Sequence, residues 1–115
     1  MITLKTLPHA TAQEVFDQVA NHLLEQGKKS EKDDRCRYKY GSLKCAAGCL
    51  ISEEEYSKDM EGEIWLHLPE EGLVPNSHIE LINTLQRTHD KHPPSEWKSE
   101  LKLVAKIYEL KVNFK

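Results

Sequence analysis

Three helix starts are written into this chain as capping boxes, and nothing else in it narrows the possible folds so sharply. In such a box a Ser or Thr hydroxyl accepts from the amide three residues on, and a Glu there reaches back. The boxes are Thr11-Ala12-Gln13-Glu14, Ser52-Glu53-Glu54-Glu55 and Ser77-His78-Ile79-Glu80. After the first, Val15, Phe16, Val19, Ala20, Leu23 and Leu24 recur at helical spacing and Gly27 follows. That predicts a helix over about 12–26, closed by a left-handed glycine. The second box opens a short acidic helix through Tyr56 towards Met60, with Gly62 as terminator. After the third, Ile79, Ile82, Leu85, Gln86 and His89 share a face, and Pro93-Pro94 ends that helix and starts another. In this last helix Trp97, Leu101, Val104 and Tyr108 form an amphipathic stripe.

Between these elements the period changes. Cys36-Arg37-Tyr38-Lys39-Tyr40 alternates, Gly41-Ser42 can turn, and Leu43-Lys44-Cys45 follows, which predicts a short hairpin. Ala46–Ile51 is small and apolar, a short buried helix or a tight helical turn. Gly48 costs about 1 kcal/mol relative to Ala inside a helix and fits better where another backbone comes close. Ile64–Leu68 reads as a strand or an irregular segment on the core, and Pro69–Pro75 as a loop. Ile2–Lys5 and Lys111–Lys115 both alternate and would pair as strands. The expected fold is mainly α, bordering α+β: about four helices around one core with a small β-hairpin, residues 1–115 forming a single domain.

Sixteen Lys and Arg against nineteen Asp and Glu give a net charge of −3. The bases are interleaved with acids, as in Lys28–Arg35, which reads as a solvated loop and disfavours nucleic acid as a partner. No stretch approaches the ~20 apolar residues that cross a bilayer. The first residues lack the apolar run and cleavage site of a signal peptide, so a cytoplasmic location is expected. The odd cysteine count suits reduced thiols, and Cys45 and Cys49, parallel on one helical face, are poorly placed for a disulfide.

Several segments together resemble a known group. These are Cys36-Arg37-Tyr38, Leu43–Ile51, Glu54-Glu55-Tyr56, Met60-Glu61-Gly62, Leu85-Gln86, His89-Asp90, and Trp97 with Leu101, Ala105 and Tyr108. The chain resembles, from about Thr11 to Leu110, small uncharacterised proteins of tailed phages, prophages and some bacteria. The resemblance implies no activity. The group usually has Pro-Asp after the Leu-Ile pair where this chain has Ser52-Glu53, which moves the N-cap to Ser52. Its hairpin turn is often longer, with Gly where Ser42 stands here.

The residues able to carry chemistry are few. Cys36, Cys45 and Cys49, with His89 or His67, form a candidate metal set, but their spacing lacks the second close pair of common zinc modules. Cys36 or Cys45 as nucleophile with His89 as base is the sharpest enzymatic reading. Asp90 is then not expected to orient His89 easily, because neighbours on a helix diverge by about 100°. As free cysteines are usually buried, structural thiols are the favoured reading. Glu53, Glu54 and Glu55 suit a first helical turn, and Glu53, Glu54 and Trp65 are candidate partner contacts. No cofactor is implied. The sequence leans away from an enzyme and towards a non-catalytic interaction protein acting on a host protein. The alternative is a small-molecule binder or enzyme with a pocket near Cys36, Cys45 and His89.

Overall fold

The first helix, α1 (Ala12–Gln26), begins and ends where its local signals say. Thr11 accepts from the Glu14 amide and Glu14 from the Thr11 amide, while Gly27 closes the helix at φ 62°. Two further helices, α2 (Ile79–Lys91) and α3 (Pro94–Ile107), pack against it and each other. The computed structural model describes residues 1–114. The core lies where the three helices meet, around Val15, Phe16, Val19, Leu23, Ile82, Leu85, Trp97 and Leu101, all essentially without exposure. None of the described helices is long and apolar enough to cross a membrane.

The fold is thus mainly α with a little sheet, but with three α-helices among the described residues rather than about four. The second capping box forms its hydrogen bonds: Ser52 N–H donates to Glu55, and Glu55 N–H donates to the Ser52 hydroxyl at 3.3 Å. Only a turn results, because Ser57 is extended (φ −133°, ψ 140°) and a single 3-10 turn, Lys58–Met60, follows. With Glu53 and Glu54 exposed, the segment has no apolar face to repay the costly first turn of a helix. Its Glu55 carboxylate instead receives the amides of Leu4 and Lys5, both at 2.9 Å, and ties down the start of the chain. The third box does not form. His78 takes a left-handed conformation (φ 53°) with its Nε2 2.6 Å from the Ala10 carbonyl, and α2 starts after it without a side-chain cap.

The segment expected to hold one hairpin holds two. β1 (Glu31–Lys32) pairs antiparallel with β2 (Arg35–Cys36), and β3 (Lys39–Tyr40) with β4 (Leu43–Lys44). The first turns at Asp33-Asp34, both at positive φ (52° and 63°), the twist that suits a two-residue hairpin loop. The second turns at Gly41-Ser42, Gly41 at φ 62°. A 3-10 turn, Ala47–Leu50, follows, and Trp65–His67 forms another in place of a strand. An added Cβ on Gly48 would sit 2.0 Å from the Tyr38 carbonyl oxygen, which explains the glycine there.

The chain ends do not pair as strands; each is held by α1. Gln18 bonds both backbone groups of Ile2, Gln13 does the same for Lys111, and Asn113 reaches Asp17. Lys115, the last residue of the expected terminal strand, lies outside the described residues.

Candidate functional site

Side chains from the helices stitch the two hairpins to the core. From α1, Gln26 accepts the Lys44 amide and donates to the Lys44 carbonyl, and His22 Nε2 lies 2.9 Å from the same oxygen. Glu61, just past the 58–60 turn, accepts from the amides of Tyr38 (2.9 Å) and Lys39 (3.2 Å) and the Tyr56 hydroxyl (2.7 Å). From α2, the buried Gln86 accepts the Ala47 amide at 2.9 Å and donates to Asp90 Oδ1 at 2.8 Å. Ser30 donates its hydroxyl to the Arg37 carbonyl at 2.7 Å, joining the entry and exit of the first hairpin.

His89 lies at the centre of this work. It has no exposure and stacks on the Trp97 ring, centroids 5.4 Å apart. The Ser30 amide donates to His89 Nε2 at 3.0 Å. An amide N–H can only donate, so Nε2 holds the lone pair and the ring proton sits on Nδ1. That Nδ1–H lies 2.8 Å from Asp90 Oδ1. The expectation that Asp90 would not easily orient His89 is therefore corrected by this contact. The 100° divergence applies to Cβ directions, and at the last turn of α2 the carboxylate folds back far enough to meet the ring.

The Cys36 sulfur, a His89 ring nitrogen and an Asp90 oxygen lie within 4.8 Å of one another. Burial works against the Asp90 carboxylate, but hydrogen bonds from His89, Cys36 and Gln86 outweigh it and leave its pKa below the usual value. Cys36 goes the other way: burial, then the neighbouring Asp90, push its thiol up to about 12. Burial also raises Cys49 to about 12 and Cys45 well above its ordinary value. All three are protonated thiols at neutral pH, the opposite of what a nucleophilic cysteine requires. Cys45 accepts the Gly48 amide at 3.3 Å, and Cys49 donates to the Ala46 carbonyl at 3.1 Å.

The cysteines and histidines do not assemble as the proposed metal set. Cys49 faces a different concavity, beside His22 and Met1, and His67 is exposed near Glu63. Cys36, His89 and Asp90 converge, but their chemistry opposes a cation. A neutral imidazole has one lone pair, and Ser30 already takes it on Nε2. Coordination through Nδ1 would turn Nε2 into a donor facing the Ser30 donor and strand a buried amide.

Above this cluster the surface is concave. A cleft of about 430 Å³ runs between the first hairpin, the segment Gly62–Trp65 and one face of α2. Cys36, Cys45 and Asp90 line its inner part, with Arg35, Arg37, Asn83, Gln86, Arg87 and Lys91 around them. The cleft adjoins Cys36 and Cys45, while His89 does not line it and is buried. Trp65, read as a possible exposed partner contact, is wholly buried and forms part of the cleft wall. Its placement follows from the Tyr38 ring, which meets it edge to face at 6.0 Å. Glu53 and Glu54 lie away from the cleft and are exposed, Glu53 paired with Lys39.

Nothing in the sequence marks Ser30, Glu61 or the cleft cations as site residues. Gln86 carried a signal: a polar residue on the apolar face of α2, three positions before His89. No protein-family model, curated protein or solved structure matches this chain, so the geometry of the cleft and of the cluster behind it is what its function must be read from.

Proposed function

We propose that the protein is a non-catalytic interaction protein that offers the cleft beside Cys36, Cys45 and Asp90 to a macromolecular partner. The resemblance to phage and prophage proteins makes a host protein the expected partner. One observation carries the reading: both nitrogens of His89 are occupied inside the fold, by Ser30 and Asp90, while the concavity in front stays open. A general base needs a free lone pair within reach of substrate, and this ring has none. The adjacent thiols are protonated and so supply no ready nucleophile.

A small-molecule ligand is the second reading, favoured by the cleft volume, which falls within the ~300–1,000 Å³ of ordinary ligand pockets. One experiment separates the two. Tagged protein and its Asn83→Trp variant, which fills the cleft from α2, are used to capture partners from bacterial lysate. The interaction reading expects one partner recovered in stoichiometric amount by the wild type and lost by the variant. Equal recovery by both, or none by either, goes against it, and a small ligand retained in native mass spectrometry would favour the second reading.

A further inference from the structure

Resting on that interaction reading, we infer that the cleft is built to receive an anionic group, the carboxylate of an acidic segment on the partner protein. Two independent features of the wall point there. The first is its unfilled donors. Among the described residues, two buried side-chain polar atoms have no hydrogen-bond partner, Trp65 Nε1 and Arg37 Nε. Both are N–H donors, and both belong to residues lining this one cleft. Arg37 Nε lies 3.5 Å from Glu61 Oε1, an ion-pair contact that does not meet hydrogen-bond geometry. Buried donors without acceptors are rare, and although neither atom has surface open to the cleft as it stands, two in one wall favour a ligand whose entry shifts the wall enough to bring them acceptors.

The second feature is charge. Arg35, Arg87 and Lys91 line the cleft, are exposed, and make no ion pair or side-chain hydrogen bond among the described residues. The acids of the same wall are Asp34, Glu63 and Asp90. Asp90 Oδ1 already receives His89 and Gln86, and Glu63 lies 3.7 Å from His67. Asp34 stands at the tip of the first hairpin. Asp34 is likewise without an ion pair among the described residues, so the three cations are the larger share of the wall's unengaged charge, and guanidinium forks match a carboxylate in two parallel bonds. Three free cations flanked by carboxylates, in a chain of net charge −3, suit a short acidic segment better than a continuous phosphate backbone.

The test uses the full chain and three fluorescent probes: an Asp/Glu-rich peptide, its Asn/Gln counterpart, and a single-stranded oligonucleotide of equal charge. The acidic peptide is expected to bind at least tenfold tighter than the neutral one. Arg87→Gln and Lys91→Gln, both at exposed positions, should each weaken it severalfold. In a ¹⁵N-labelled sample the Trp65 indole N–H signal should shift on binding. The Trp97 indole, bonded to the His92 carbonyl at 3.0 Å, should stay in place. Equal affinity for both peptides, tighter binding of the oligonucleotide, or an unmoved Trp65 signal would overturn the inference. If the peptides fail while Asn83→Trp still abolishes partner capture, the acidic ligand falls alone. If Asn83→Trp captures the partner normally, the interaction reading falls with it.

Discussion

Replacing His89 with Phe separates a structural histidine from a working one. The two rings have similar shapes, so the stacking on Trp97 and the packing survive, and what goes is the pair of polar contacts. The Ser30 amide loses its acceptor and stays buried, which costs about 1–3 kcal/mol. Asp90 loses a hydrogen bond to an ionised group, about 1.5–3 kcal/mol in general and towards the low end here, since its side chain is 29% exposed. Burying a more apolar ring returns roughly 1–2 kcal/mol. The net is a destabilisation centred on about 2 kcal/mol, within extremes of about 0.5–4 kcal/mol. With a urea slope of about 1.5 kcal/mol/M for a chain of this size, the midpoint should fall by about 1.5 M. Tryptophan fluorescence reports it, as Trp65 and Trp97 are both buried. A residue held under strain for catalysis behaves oppositely, since its removal usually leaves stability unchanged or raises it. A midpoint that moves by less than about 0.5 M, or rises, would refute the reasoning.

Gly48→Ala should cost about 3 kcal/mol or more, because its Cβ would meet backbone at 2.0 Å. Gly27→Ala, with open space but φ 62°, should cost only about 1–2 kcal/mol; thermal melts of the two variants compare them, and an equal loss would contradict the packing argument. Burial holds the His22 pKa below its ordinary value, against the pull of the Lys44 carbonyl. The unfolded chain then takes up the proton first, so this contribution is complete above pH of about 6.5 and is lost as pH falls through the lower folded value. Urea midpoints measured between neutral and mildly acid pH should decline, and His22→Gln should flatten that decline. Alkylation with iodoacetamide at mildly alkaline pH should modify all three thiols at least tenfold more slowly in the fold than in urea, Cys36 included. Rapid labelling of Cys36 in the folded protein would show that its thiol is not held protonated.

The parts of this fold that could be read from the sequence are those where several local signals agree. α1 has a capping box, a continuous apolar stripe and a closing glycine, and its ends fall where these put them. Ser52–Glu55 shows what happens when one signal stands alone: the cap bonds form, but without an apolar face no helix grows from them. The first hairpin was hidden because its turn places two aspartates at positive φ, which charge patterning does not reveal. At Ser77 a tertiary contact, His78 to the Ala10 carbonyl, overrode the local signature.

The candidate site was legible as a set of residue types and not as an arrangement. Cys36, Cys45 and His89 stand out by residue type; Cys36 and Cys45 line one concavity, and His89 lies buried next to Cys36. Their roles depended on partners that sequence spacing does not disclose, above all the Ser30 amide, 59 residues away from His89. Most of the groups that settle the chemistry are backbone amides outside the three α-helices: Ser30 for His89, Ala47 for Gln86, Tyr38 and Lys39 for Glu61. A backbone amide carries no residue signature, so such a network becomes visible only once the chain is folded. Trp65 eluded assignment for a related reason, lying in a 3-10 turn too short to show a period.

The proton on the His89 ring decides between a fully engaged structural group and a free base. Long-range ¹H–¹⁵N correlation of the imidazoles at neutral pH, repeated with excess zinc, reads it directly. The account predicts the Nδ1–H tautomer for His89, with Nε2 unprotonated and the spectrum unaltered by zinc. A His89 carrying its proton on Nε2, or shifting when zinc is added, would mean that Ser30 does not hold the ring and that the cluster is free to act.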